Sequence, residues 1–156
     1  MAKNNKNTKV DEKSTTKTEE ITVTKKEKDA FLTGLVTNNR ATKTVTIIKG
    51  KLDVVFSSLS ASDQLEVEQV VSTMKTSAQH TLHKYALMLL AKGLDSYGDV
   101  DMSTLSDEEV TTFIEDLPAP IIDKLVKEQH YFNKQVQAVI DPEAIEETFF
   151  AQASDS

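Results

Sequence analysis

Residues Thr81–Leu94 read TLHKYALMLLAKGL, and from Tyr85 to Ala91 every side chain is apolar or small. Leu82, Tyr85, Ala86, Leu89 and Leu94 form one helical stripe, and Leu87, Leu90 and Ala91 form a second on the opposite side. A helix apolar on two sides is usually covered on both. Gly93 stands where a helix ends, at a position that favours a residue free to enter the left-handed region. The stretch therefore predicts a central buried helix of a small, mostly helical domain.

The flanking segments supply its partners. Upstream, TKTVTII at Thr42–Ile48 and KLDVVF at Lys51–Phe56 are separated by Lys49-Gly50. Val45 and Ile47 alternate with threonines, and Leu52, Val54 and Phe56 with Asp53 and Val55, which is the pattern of a β-hairpin. A lone hairpin is marginal in water, so it must lie on the helices. Before it, Lys26–Asn39 predicts a helix with Phe31, Leu32, Leu35 and Val36 on one face. After it, Ser60 with Asp63 opens a helix carrying Leu65, Val67, Val70, Val71 and Met74.

Downstream, Asp95–Ser103 (DSYGDVDMS) reads as a polar loop. Ser106 and Glu109 form a capping box for a short helix through Leu117, with Val110, Phe113, Ile114 and Leu117 inward. Pro118-Ala119-Pro120 stops that helix and starts another, Pro120 fitting the first turn. Ile121, Ile122, Leu125, Val126, Phe132, Val136, Val139 and Ile140 recur at three- and four-residue steps, which predicts a long amphipathic helix. Asp141-Pro142 repeats the stop-and-start signal, Asp141 as N-cap of a last helix carrying Ile145, Phe149 and Phe150. The fold class is mainly α with one small β-hairpin, an α+β arrangement. Three segments follow: a disordered polar N-terminal arm over 1–26, a helical domain over 27–140 with its hairpin at 42–56, and a C-terminal amphipathic helix and tail over 141–156.

Composition bounds the function. The 156 residues contain no cysteine, which removes disulfides and thiol chemistry. No apolar run approaches the ~20 residues that span a bilayer, so no membrane partner is expected. The net charge is −7. The first 29 residues hold eight lysines against six acids; the rest holds ten Lys/Arg against nineteen Asp/Glu. An acidic body disfavours nucleic acid as the main partner. The leader is either a solvated tail or an arm that docks on a partner, with Ile21–Thr24 alternating like a strand.

Candidate chemistry is sparse. His80 and His83 share a helix face, and a metal would need a third ligand such as His130. An EF-hand starting at Asp99 would need Gly and Glu where Thr104 and Val110 stand. No Gly-rich phosphate loop or nucleophile motif occurs. The expectation is no enzyme activity and no cofactor or metal. Two features point to protein partners instead. Between Gly93 and Asp123 lie nine acids and no Lys or Arg. That stretch is either a solvated face or a steering patch for a basic partner, with Asp99, Asp101, Glu108 and Glu109 as its candidates. Ile145, Phe149 and Phe150 either close the core or anchor in a partner's groove; exposed, they also favour a homo-oligomer.

The order of features adds a resemblance. KDAFLTGLVTNN, KTVTIIKGKLDVVF, LSASDQ, the apolar helix with its Asp-rich sequel, and LPAPIIDKLVKEQHYFNKQVQ follow one another. Over roughly Phe31–Ile140 this layout resembles the small acidic tail- and baseplate-assembly proteins of tailed bacteriophages, the tail assembly chaperones and hub-assembly factors. The matching element is Leu117, Pro118, Ile121, Ile122, Asp123 and Leu125. The resemblance implies a non-enzymatic protein that binds other phage tail or baseplate proteins in the host cytoplasm during assembly. Its alternatives are a minor structural subunit retained in the virion tail, or a regulatory binding module.

Overall fold

The computed structural model describes residues 20–141. Among them are helices α1 (Lys25–Asn38), α2 (Ala61–Ser72), α3 (Ala78–Gly93), α4 (Asp107–Glu115) and α5 (Ala119–Ile140). Strands β1 (Thr42–Ile48), β2 (Leu52–Ser57), β3 (Leu94–Tyr97) and β4 (Val100–Asp101) form one antiparallel sheet in the order β1-β2-β3-β4. The chain is α+β.

Helix ends follow local chemistry. Thr24 with Glu27, Ser60 with Asp63, and Ser106 with Glu109 each form a reciprocal capping box, satisfying amides that have no partner inside the helix. Asn39 ends α1 in the left-handed region at φ 60°, where asparagine is tolerated because its short amide can bond locally. The first hairpin matches its expected span closely, but its connection is Lys49-Gly50-Lys51, one residue longer than expected. Gly50 takes φ 72° in the turn closed by Lys51 N–H on Ile48 O at 2.9 Å, and the register slips between Thr46 and Ile48.

Three features depart from expectation. The polar stretch after α3 is not a loop: β3 pairs with β2 and turns tightly at Gly98-Asp99 into β4, doubling the sheet. Gly93 is not a left-handed cap. It is buried, and a Cβ there would stand 2.6 Å from Gln129 Nε2 and 3.1 Å from Ser57 O, so glycine is needed for close approach of α3 to α5 and the sheet. The two stripes of α3 are also unequal. Leu87 and Leu90 are buried, whereas Leu82 is 67% exposed.

The most enclosed helix is α5, with Leu125, Phe132, Val136, Ala138 and Val139 in the core. The Phe132 ring meets Phe31 of α1 edge-on at 5.5 Å and stacks near Phe56 of β2 at 6.4 Å. Offset and edge-on pairs add to simple burial. Two buried glutamines accompany them. Gln129 Nε2 donates to Leu89 O at 2.8 Å, and Gln135 Nε2 donates to Thr22 O at 2.7 Å.

That last bond moves the domain boundary inward of residue 26. Ile21 and Val23 are 7% and 2% exposed and belong to the core, and α1 begins at Lys25. Residues 1–19 of the expected arm lie outside the described residues, as do residues 142–156 with the expected last helix. Asp141, expected to start that helix, caps the end of α5, its N–H on Gln137 O at 2.8 Å.

Truncating Phe132 removes the ring shared by α1, α5 and the sheet. Phe132→Ala is expected to lower the unfolding free energy by ~3–5 kcal/mol, while Leu82→Ala stays within about 0.5 kcal/mol. Urea unfolding of the full chain checks both; equal losses would contradict this assignment of the core.

Candidate docking surfaces

The acidic stretch after Gly93 reaches the surface in several separate states. Asp107 Oδ2 pairs with Lys92 Nζ at 2.9 Å, and Glu115 Oε2 pairs with Lys84 Nζ at 2.9 Å. Asp95 accepts from the Ser57 hydroxyl at 3.0 Å. Two lysines of α3 thus neutralise part of the charge that the sequence places downstream of them.

The four expected steering residues divide. Asp101 caps the 3₁₀ turn Met102–Thr104, accepting from Ser103 N–H at 2.9 Å and its hydroxyl at 2.7 Å; these bonds hold its carboxyl below the ordinary value of 3.8. Glu109 accepts from Ser106 N–H at 2.8 Å in the α4 capping box. Asp99, in the β3–β4 turn, and Glu108, in the first turn of α4, are exposed and have no salt-bridge partner among the described residues. Asp101 and Glu109 therefore shape their own segments, and Asp99 and Glu108 carry charge that a partner can use. The other three candidates, Ile145, Phe149 and Phe150, lie outside the described residues.

A second kind of surface lies on α2 and the start of α3. Helix α2 packs mainly on α3, and its one buried side chain is Val67. Leu65 and Val70 are 56% and 44% exposed, and Leu82 on the neighbouring helix is more exposed still. Helical spacing puts Leu82 on a stripe expected to be covered, but periodicity reports a stripe and not whether a second layer covers it. The α2–α3 pair has one apolar side on the body and keeps other large aliphatics in solvent.

Ion pairs at the surface, with only the lysine largely covered, link this helix pair to α4. Lys92 Nζ lies 3.1 Å from Glu66 of α2 and 2.9 Å from Asp107 of α4, with its side chain 14% exposed. Burial alone would lower its pKa, but the bonds to Asp107 and Glu66 outweigh that and raise it above 10.5. Arg40 binds Asp63 at 2.8 Å and also donates to Ser58 O at 3.1 Å, fastening the start of α2 to the loop before β1. Burial works against the Asp63 charge, yet hydrogen bonds from Ser60 and the Arg40 guanidinium hold its pKa below 3.8.

The histidines do not converge. His80 and His83 line a shallow depression with Ser77 and Gln79, whereas His130 lines a cleft at the far end of α5. Among the described residues, no group of three or more His, Cys, Asp or Glu side chains is placed to hold a metal ion. Among them, too, no helix is long and apolar enough to cross a membrane. No protein-family model matches the chain, and no curated protein and no solved structure matches it either.

The sign of the Asp63 linkage gives a test. Its folded pKa is depressed, so its stabilisation is present above the unfolded value and is lost as pH falls through the folded one. Arg40→Met raises the folded value. The variant should be less stable near neutrality, should begin its acid loss at higher pH, and should approach the native chain by about pH 2. Unfolding curves measured at successive pH values check this; a gap independent of pH would contradict the ion pair as its cause.

Proposed function

We propose that this chain is a non-enzymatic assembly protein of tailed bacteriophages, a tail assembly chaperone or hub-assembly factor that binds other virion proteins. The observation that carries the protein-binding part is the α2–α3 pair, which keeps Leu65, Val70 and Leu82 in solvent while Lys92 ties it to the body. A stable domain with a held, partly apolar projection suits reversible capping of another protein's apolar surface before assembly. The phage part rests on the layout from KDAFLTGLVTNN to LPAPIIDKLVKEQHYFNKQVQ.

Within this reading each surface has a role. Asp99 and Glu108 steer a basic partner, with Asp101 and Glu109 adding fixed charge beside them. Leu65, Val70 and Leu82 supply apolar contact, joined by Ile145, Phe149 and Phe150 as anchors. Long-range attraction acts mainly on association, so it weakens as salt screens it. The alternative, a minor structural subunit, predicts the same contacts but places the protein in mature particles.

The test is affinity capture of the tagged full chain from its native source, eluted with stepped salt and identified by mass spectrometry. A tape-measure, hub or baseplate protein released at moderate salt is the expected result. Asp99→Asn with Glu108→Gln should slow association several-fold at low salt and change little at high salt. Leu65→Asp with Leu82→Asp should reduce recovery at every salt concentration. Recovery of no protein but the bait, or of the same partner regardless of all four substitutions, would contradict the proposal.

A further inference from the structure

The sheet has two edges, and they differ. The β4 edge is two residues long, Val100–Asp101. Strand β1 forms the other with seven, Thr42–Ile48, and contains no proline. Short strands, prolines and outward charges normally protect an edge from pairing with another chain. The one charge in β1 is Lys43, and its Nζ turns inward to Glu27 of α1 at 3.2 Å and Gln135 of α5 at 2.7 Å. The register slip between Thr46 and Ile48 disturbs only the far end.

Hydrogen bonds fix which groups of β1 look outward. Ala41 O accepts from Ser58 N–H at 2.8 Å, and Ala41 N–H donates to Ser58 Oγ at 3.0 Å, so residue 41 faces the β2 side. Along an antiparallel ladder that direction alternates, with the N–H and C=O of one residue on the same side. Lys43 and Val45 therefore face β2, opposite Phe56 and Val54, and Thr42, Thr44 and Thr46 face away from it. The far side of β2 agrees. Asp53 stands opposite Thr46, and its carbonyl accepts from Gly98 N–H at 2.9 Å, away from β1. All three threonines are exposed, and among the described residues no hydrogen bond reaches their main-chain groups.

This edge is complementary to itself in one register. An antiparallel pair centred on Thr44 sets Thr44 opposite its own copy, Thr42 opposite Thr46, and Lys43 opposite Val45. All three outward threonines then take part, with about six main-chain hydrogen bonds, and the pairing stops short of the slip. Cross-strand threonine pairs are favourable. Centring on Lys43 instead would oppose two lysines, which is unfavourable. Centring on Val45 would carry Thr42 past the slip to Ile48. Arg40, just before the strand, is already held by Asp63.

We infer that β1 is the docking edge for a second copy of this chain, joining two sheets across a two-fold axis at Thr44. Such an interface uses the same strip on both copies and takes its affinity mainly from main-chain hydrogen bonds. The strip Thr42–Thr46 buries less than the ~1,200 Å² of a standard interface, so the dimer forms and dissociates with concentration.

Sedimentation and amide exchange of the full chain test this. Sedimentation should show a monomer–dimer equilibrium, and exchange at Thr42, Thr44 and Thr46 should slow as the dimer fills. Thr44→Pro removes the central outward N–H while leaving the β1–β2 ladder its bonds, and should weaken the dimer roughly tenfold or more. Thr44→Lys and Thr44→Glu each set like charges opposite one another across the axis. Each alone should weaken association several-fold, and an equal mixture of the two should restore it; restoration also shows that both variants fold. Leu65→Asp with Leu82→Asp should leave the equilibrium in place, which separates this edge from the α2–α3 surface. A monomer at every concentration, protection of the three amides that does not depend on concentration, or a mixture no more associated than either variant would each overturn the inference. So would a dimer abolished by the Leu65 and Leu82 substitutions.

Discussion

The ring of Phe132 is the constraint on which the rest of the domain depends. It is fully buried, edge-on to Phe31 and stacked near Phe56. Those contacts join the first helix, the sheet and the last described helix, elements distant in sequence. Protein interiors are close-packed, so an aromatic ring shared by three elements fixes their spacing and leaves little freedom to slide. The close approach of α3 at Gly93 follows from the same geometry, because α5 already sits against the sheet and only a hydrogen fits between them.

Polar groups around that ring are matched rather than excluded. The Tyr131 hydroxyl accepts from Thr22 N–H at 3.1 Å, Gln135 donates to Thr22 O, and Lys43 Nζ donates to Gln135 Oε1 at 2.7 Å. Lys43 also pairs with Glu27 at 3.2 Å, and Glu27 closes the capping box of α1. One network thus connects the segment before α1, the helix cap, strand β1 and α5. Among the described residues, no buried side-chain nitrogen or oxygen lacks a hydrogen-bond partner. That matters because an unpaired buried polar group costs ~1–3 kcal/mol.

Local signals in the sequence carried the helix starts, the first hairpin and α5. Capping boxes, Gly50 and the spacing of Leu125, Phe132, Val136 and Val139 are properties of short windows, and short windows report them well. What was hidden depends on distant partners. Ile21 and Val23 look like stray apolar residues in a polar leader until Gln135 and Tyr131 bind the backbone between them. The strands Leu94–Tyr97 and Val100–Asp101 are short and polar, and β2 supplies the edge that makes them strands. Nothing local in the sequence marks Gln129 and Gln135 for burial, and both are buried. The candidate site was legible in part: Asp99 and Glu108 are exposed charges as expected, Asp101 and Glu109 also serve local structure, Leu82 is exposed where its stripe predicts cover, and the spacing of Leu65 and Val70 does not tell that they face solvent.

The resulting picture is a body built on α5, the sheet and the C-terminal half of α3, with α2 and the first turns of α3 less covered. Local opening follows the amount of apolar contact, so the two parts should differ in stability. Native-state hydrogen exchange tests this most directly. Amides of Val54–Phe56, of Leu125–Val139 and of Thr22 should exchange only through global opening, with one shared free energy. Amides of α2 and of the first turns of α3 should exchange through a smaller opening. Common protection across α2 and α5, or free exchange at Thr22, would contradict the account of a body organised around Phe132.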